Sequence, residues 1–316
     1  MKHMETLRAA FCFDQNLTAQ VQVAVTSLLT AFIGEDVQLE VHCVCTKEAS
    51  AVEESLVGLM KKIDGTAKLV MHCVENLYAD AYEVRGISAG AYLRLLLHRV
   101  LPDIDKVLYL DVDILVRESL LPLWKTDLES NLLAAVKGPV NLSDKWEWNS
   151  ERPYWKLLTG MQGSYINSGV LLLNLAQIRR QQIDRQWEKL AEQKLYYQDQ
   201  DILNITCRGK MIYLPPKYNS LAYLSAEDYR QMVAEDIFTE NESVQAQEHA
   251  AILHYAGDKP WNRYDTNQGS VWWDFVNGYS ELAALFDEKK ARRNHGPTVV
   301  QRIMRKIQKI LSREKI

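Results

Sequence analysis

The spacing of apolar positions along this chain switches between strand and helix periods, and the switch points mark its elements. Residues 7–13 form a near-continuous apolar run, the pattern of a buried strand. Over residues 17–33, Leu17, Val21, Val25, Leu28, Leu29 and Phe32 recur at helical spacing. Residues 37–46 alternate, which predicts a strand with Val37, Leu39, Val41, Cys43 and Cys45 on one face. A helix over 49–63 and a strand over 68–74 follow. A further helix, 88–100, has Ser88 as its N-cap and carries Tyr92 and Arg94. Strands are predicted at 106–110, 132–136 and 211–214, and a last one at 250–255. Asn167-Ser168-Gly169 reads as a turn into a buried strand within 165–175. Helices are expected at 179–195, 199–208 and 271–286, while 226–248 reads as a polar, irregular excursion. The opening β-α-β-α-β alternation predicts an α/β fold with a mainly parallel sheet flanked by helices, spanning residues 1–286. No Gly-x-Gly-x-x-Gly occurs, which argues against an ordinary dinucleotide-binding fold.

One apolar run is interrupted in a way that demands a reason. Val107 to Leu110 reads as a buried strand, Ile114 to Val116 resumes the pattern, and Asp111 and Asp113 stand between them. Asp is depleted in strands, and an unpaired buried carboxylate is costly. In extended backbone, residues i and i+2 point the same way, so both carboxylates would converge at the carboxyl end of a strand. Two like charges so placed repel unless a cation lies between them, which points to a hard divalent metal. A turn cap at Asp113 and an ion pair of Asp111 with Lys106 or Arg117 are the bland alternatives.

Composition changes this picture little. The chain has 316 residues, ample for a large core. Its five cysteines include no C-x-x-C pair, so zinc and redox centres are not indicated and a reducing compartment is expected. The first thirteen residues lack the apolar core of a leader, and no apolar run reaches membrane-spanning length. A cytoplasmic location is therefore expected. Charge is uneven: residues 289–316 hold ten Lys or Arg against Glu314, a net +9, which leaves −13 on the remainder of a chain whose total is −4. Within this tail, 287–316, residues 297–315 predict an amphipathic helix. Val299, Val300, Ile303, Met304, Ile307, Ile310 and Leu311 form its stripe, with Arg302, Arg305, Lys306, Lys309 and Arg313 around it. Apolar stripe and basic charge together favour an in-plane anchor on an anionic membrane surface, with a solvated helix packed on the body as the alternative. Nucleic acid is not an expected partner, because the acidic body would repel phosphate.

Four polar clusters interrupt apolar elements at their ends: Asp14/Asn16, Asp111/Asp113, Asp199/Gln200 and His254/Lys259. The segments Tyr109-Leu-Asp-Val-Asp113, Ile166-Asn-Ser-Gly-Val170, Tyr197-Gln-Asp-Gln-Asp-Ile-Leu-Asn204 and His254-Tyr-Ala-Gly-Asp-Lys-Pro-Trp261 resemble, in order, the signatures of glycosyltransferase family 8. The resemblance implies a GT-A type nucleotide-sugar-binding fold with a mixed, mainly parallel sheet. It implies a retaining enzyme that moves glucose or galactose from a UDP-sugar donor to a saccharide or glycolipid acceptor, as in lipopolysaccharide or capsule synthesis. It also implies Mn²⁺, with Mg²⁺ as the alternative, held by Asp111, Asp113 and His254. Asp14 and Asn16 would lie beside the uridine and ribose. Arg94, Asp111, Val112 and Asn167 would contact the donor, and Gly257 and Lys259 its diphosphate. Asp199 would orient the sugar hydroxyls, and Gln200 would sit under the anomeric carbon.

Two departures from the family stand out. Lys137-Gly138 occupies a place where galactosyl relatives carry an acidic residue, which leaves the donor sugar open. The spacing from Gly257 to Lys259 is also one residue shorter than in some relatives. Two competing readings are a catalytically silent sugar-nucleotide-binding protein and a self-glucosylating protein like glycogenin.

Overall fold

The computed structural model describes residues 5–75, 78, 81, 89–138, 155–161 and 163–293. The Ser88 cap, most of the loop after Gly138 and the predicted tail helix lie outside these residues. Contact density divides the chain into two units, residues 1–254 and 255–316.

The first unit is built on a seven-stranded sheet. Its strands are β1 (Glu5–Phe13), β2 (Val37–Cys45), β3 (Lys68–Cys73), β4 (Lys106–Leu110), β6 (Leu133–Lys137), β7 (Ile166–Asn174) and β8 (Met211–Tyr213). Their order is β3-β2-β1-β4-β7-β6-β8. β3, β2, β1 and β4 run parallel, as the alternation of strands and helices predicts, while β7 runs antiparallel to both its neighbours. One core cluster includes Phe11, Val41, Cys43, Leu108 and Leu172. Another includes Ala10, Val44, Val107, Tyr109 and Leu171. Adjacent residues on one strand thus feed opposite sides, which is why these runs are apolar throughout.

A second, three-stranded sheet was not legible in the sequence. β5 (Ile114–Val116) pairs antiparallel with β10 (Ile252–His254), and β10 pairs parallel with β9 (Ser220–Leu221). The apolar run around Asp111 and Asp113 is therefore two strands in two sheets, with a turn between them. This corrects the extended-strand geometry expected for the two carboxylates. Val112, in that turn, is buried in the core.

Other elements differ from expectation for local reasons. Residues 226–248 form two helices, Ala226–Ala234 and Glu240–Glu248, each opened by a capping box: Ser225 with Asp228, and Thr239 with Glu242. The helix expected over 179–195 is two, Leu175–Gln181 and Asp184–Ala191. The Asn174 side chain caps the first, and Gln182 in the left-handed region (φ 51°) ends it. Ala89–Leu96 takes the tighter 3-10 winding before the short helix Leu97–Val100.

In the second unit, Trp272 meets Trp273 and Phe286 edge to face at centroid distances of 4.9 and 4.8 Å. The helix predicted over 271–286 is Gly269–Asn277 and Ser280–Ala283, divided at Gly278, a poor helix former. A short helix, Glu288–Arg293, belongs to the same unit. Ala291 is buried and accepts a hydrogen bond from the Tyr264 backbone, and the Arg292 guanidinium lies 3.6 Å from the Tyr264 ring centroid. No helix among the described residues is long and apolar enough to cross a membrane.

Candidate functional site

β1 and β4 are parallel neighbours, so Asp14 and Asp111, which follow them, share one rim of the sheet. β7 runs the other way and contributes its beginning, Ile166 to Gly169, to the same rim. Carboxyl ends of parallel strands are where open α/β sheets bind ligands.

Asp111, Asp113 and His254 meet here, with one ligand atom from each lying within 4.8 Å of the others. His254 Nε2 is 3.2 Å from Asp113 Oδ1 and 3.6 Å from Asp111 Oδ2. The strand registers explain the approach: β10 ends at His254 opposite Ile114, the first residue of β5, so the imidazole and Asp113 sit side by side. The ring's other nitrogen, Nδ1, lies 2.8 Å from Asn219 Oδ1. Gly169 completes the cradle. A Cβ on it would lie 2.2 Å from His254 Cε1 and 2.8 Å from Asp111 Oδ2, so only glycine leaves room. Two carboxylates and an imidazole on a second support suit a divalent cation such as Mn²⁺, so these residues fit the group.

Arg94 crosses behind this triad. Nη2 contacts Asp111 Oδ1 at 3.0 Å and Nε contacts Asp199 Oδ2 at 3.1 Å, while Nη1 donates to the Ser168 carbonyl at 2.7 Å. Its guanidinium also lies 4.6 Å from the Tyr109 ring centroid. Burial works to lower the Arg94 pKa, and the carboxylates of Asp111 and Asp199 overcome it and raise it. Asp199 shows the reverse balance. Burial pushes its carboxyl up to about 6 against the pull of Arg94, so it is mostly charged at neutral pH but sits close to protonation. Tyr109 donates from its hydroxyl to Asp111 Oδ1 at 2.5 Å. One guanidinium thus bridges two carboxylates, Asp111 and Asp199, while Asp113 lies on the His254 side.

Asp199 and Gln200 open the helix Gln198–Thr206, whose first residue is held in the left-handed region (φ 49°). That conformation costs a non-glycine residue about 1–2 kcal/mol and here aims the next two side chains at the rim. Asn204 ties this helix to β7: its Oδ1 accepts from the Ile166 backbone at 2.8 Å, and its Nδ2 donates to the Ile166 carbonyl at 3.0 Å. Gln200 Oε1 accepts from Asn167 Nδ2 at 3.0 Å and from the Ser168 backbone at 3.1 Å. Asn167-Ser168-Gly169, expected as a turn, lies inside β7 beside a register shift against β6.

Arg94, Asp111, Asp113, Asn167, Asp199, Gln200 and His254 thus form one connected group. Asp14 is buried and accepts from the Asn16 backbone at 2.9 Å, which caps the 3-10 turn Gln15–Leu17; the Asn16 side chain is exposed. Gly257 and Lys259 belong to the second unit, where Lys259 Nζ donates to the Tyr255 carbonyl at 2.7 Å. Lys137 Nζ donates to the Ile237 carbonyl at 3.2 Å and lies 5.0 Å from the Tyr213 ring centroid. Asn219, Ser168, Gly169 and Asn204 also hold the site together; the last three lie inside the family signatures without an individual role there, and Asn219 lies outside them.

Comparisons with known proteins point to glycosyltransferases. The chain is 35% identical over 137 residues to a putative glycosyltransferase of Haemophilus influenzae, a match covering 42% of this chain and 39% of that protein. That match spans less than half of the relative's length. It is 28% identical over 275 residues to lipopolysaccharide 1,2-glucosyltransferase of Escherichia coli K12, covering 82% of this chain and 74% of the relative. Among solved structures, it resembles the galactosyltransferase LgtC in complex with donor and acceptor sugar analogs, with a TM-score of 0.69 at 27% identity, covering 87% of this chain and 96% of that one. Residues 8–265 match the profile of glycosyl transferase family 8, and the chain belongs to that family.

Proposed function

We propose that this protein is a retaining hexosyltransferase that moves glucose or galactose from a UDP-sugar to a saccharide or glycolipid acceptor of the lipopolysaccharide or capsule type. The observation that carries the reading is the meeting of Asp111, Asp113 and His254 beside Arg94, Asp199 and Gln200 at one sheet rim. The kinship with lipopolysaccharide 1,2-glucosyltransferase and LgtC supports the substrate class. Asp111, Asp113 and His254 hold Mn²⁺, or Mg²⁺ in its place. The bound cation supplies positive charge to offset what develops on the departing diphosphate.

The remaining roles belong to the chain itself. Asp14 and Asn16 receive the uridine and ribose. Val112, anchored in the core, fixes the turn on which the donor rests. Arg94 holds Asp111 and Asp199 in place and, with Asn167, faces the donor. Asp199 accepts from sugar hydroxyls. Gly257 allows close approach of backbone to the diphosphate and Lys259 adds a positive charge. Gln200 stands under the anomeric carbon. Its Oε1 already accepts two hydrogen bonds, so it is a poor nucleophile. That supports a front-face displacement in which the leaving UDP oxygen takes the acceptor's proton. UDP release from UDP-glucose or UDP-galactose is expected with Mn²⁺ and is expected to cease on chelation, returning when metal is restored. Turnover indifferent to chelation would overturn the metal-dependent mechanism.

The domain from 1 to 286 carries this chemistry, and the basic tail, 287–316, seats it on an anionic membrane surface through residues 297–315. Glu288–Arg293 packs within the second unit, so a cut after Arg293 keeps every described residue of that unit. The truncated protein is expected to lose binding to phosphatidylglycerol-containing vesicles in flotation assays while keeping UDP-sugar hydrolysis. Equal flotation of both forms would eliminate the anchor.

A further inference from the structure

Asn219 follows Pro215-Pro216-Lys217-Tyr218, in a 3-10 turn just before β9, and is 2% exposed. It stands between the two sides of the site. Its Nδ2 donates to Asn167 Oδ1 at 2.8 Å, and its Oδ1 faces His254 Nδ1 at 2.8 Å.

The direction of every hydrogen bond in this chain of amides is fixed by backbone donors. The Gly169 N–H, which can only donate, points at Asn167 at 3.0 Å, so the atom it meets is the carbonyl oxygen Oδ1. Asn219 must then present Nδ2 to that oxygen and Oδ1 to the imidazole. Nδ1 of His254 must therefore carry a proton, so in the neutral ring Nε2 is the bare nitrogen, turned toward Asp111 and Asp113. On the other side, the Ser168 N–H fixes Gln200 Oε1 as an acceptor, and Asn167 Nδ2 donates to it. Gln200 Nε2 donates to the Tyr165 hydroxyl at 3.1 Å, which donates to Asp201 Oδ1 at 2.6 Å. Turning Asn219 over sets oxygen against oxygen at Asn167, and moving the imidazole proton to Nε2 sets lone pair against lone pair at Asn219. Both errors are costly in a buried site.

We infer that Asn219 is a positioning residue: it holds His254 in the Nδ1-protonated form, with Nε2 free to ligate a divalent cation, and it couples that ligand to Asn167 and Gln200 on the sugar side. This rests on the proposed reading of Asp111, Asp113 and His254 as the cation's ligands. Asn219 is the partner that metal-bound histidines use to fix their orientation, and loss of such a partner typically costs about 10–100-fold in metal affinity.

The test uses the full-length protein with Mn²⁺ as the probe and no sugar nucleotide. Free Mn²⁺ is read by its paramagnetic resonance signal, and the imidazole by nitrogen–proton correlation spectra of the metal-free protein at mildly alkaline pH. The wild type is expected to show the Nδ1-protonated ring for His254. Asn219→Leu is expected to weaken Mn²⁺ binding about 10–100-fold. Asn219→Asp keeps an acceptor for the imidazole but sets an oxygen against Asn167. It is expected to bind Mn²⁺ more nearly as the wild type does, while raising the KM for the UDP-sugar. If Asn219→Leu fails to fold, the wild-type spectrum and Asn219→Asp still decide the matter. A wild-type His254 protonated on Nε2, or Mn²⁺ bound equally by wild type and Asn219→Leu, would overturn the proposal. A wild type that binds no Mn²⁺ would instead refute the metal reading, and its metal-free spectrum would still show whether Asn219 holds the ring.

Discussion

Asp113→Asn is expected to abolish Mn²⁺-dependent UDP release, with a loss of at least about 10²–10³-fold. A Lewis-acid cation supplies several kcal/mol to a transition state that develops phosphate charge, and about 1.4 kcal/mol is tenfold in rate. The amide keeps the shape of the side chain but gives up one of the two anionic ligands. The fold should survive. Asp113 stands in a turn between β4 and β5, and the substitution removes its repulsion from Asp111. Without metal, the variant is expected to stay folded, because the isosteric amide opens no cavity and adds no buried charge. With metal, the rise in melting temperature expected of the wild type should be absent from the variant. Retention of that rise together with normal turnover would show that Asp113 is not a ligand.

Gly169→Ala is expected to damage the same site from a residue that bears no functional group. At a compatible position, replacing glycine by alanine stabilises a protein by about 0.4–1 kcal/mol. Here the added Cβ would lie 2.2 Å from His254 Cε1 and 2.8 Å from both His254 Nδ1 and Asp111 Oδ2. The imidazole cannot step aside cheaply, because it is 2% exposed and Asn219 holds its Nδ1. Overpacking of this kind costs about 1–3 kcal/mol, so the sign reverses and stability falls. The movement that relieves the clash separates His254 from Asp111, so Mn²⁺ binding and turnover should fall together. Chemical denaturation beside an Mn²⁺ titration checks both. A variant as stable as the wild type with metal affinity unchanged would mean that the ring has room to shift.

These two residues also show what the sequence could and could not disclose. Strands β1 to β4 and the helix Thr18–Ala31 were readable because their core-facing apolar residues carry the period themselves. Asp111 and Asp113 stood out because carboxylates within an apolar run need a partner, but the route to their convergence was misread. An apolar run that resumes after two charges looks the same whether it stays in one sheet or crosses into another. Here it crosses, and the carboxylates meet through a turn. The helices within 226–248 were missed for a different reason. Between them they bury Tyr229, Met232, Ser243 and Ala246, so little apolar face marks them. Their capping boxes were present in the sequence, and polar composition outweighed that signal.

Asn219 had no local signal, and Asn204 showed only as the last residue of the Tyr197–Asn204 signature. The partners of Asn219 lie 52 and 35 residues away, and those of Asn204 include a backbone group 38 residues away. Only a fold that brings β7, β9 and β10 to one rim makes them functional. Gly169 carried a weak signal, since a glycine in an apolar strand suggests close approach of other atoms. What approaches it was visible only in three dimensions.

Two of the proposed cation ligands lie in the crossing from the seven-stranded sheet to the three-stranded one, and the third ends a strand of the latter. Under the proposed reading the ion therefore acts as a rivet through both sheets, and its binding adds to the stability of their joint. Each tenfold rise in free Mn²⁺ above its dissociation constant would tighten that joint by about 1.4 kcal/mol. Without the ion that joint rests on the apolar side chains the two sheets share, among them Leu108, Ile114 and Ile252.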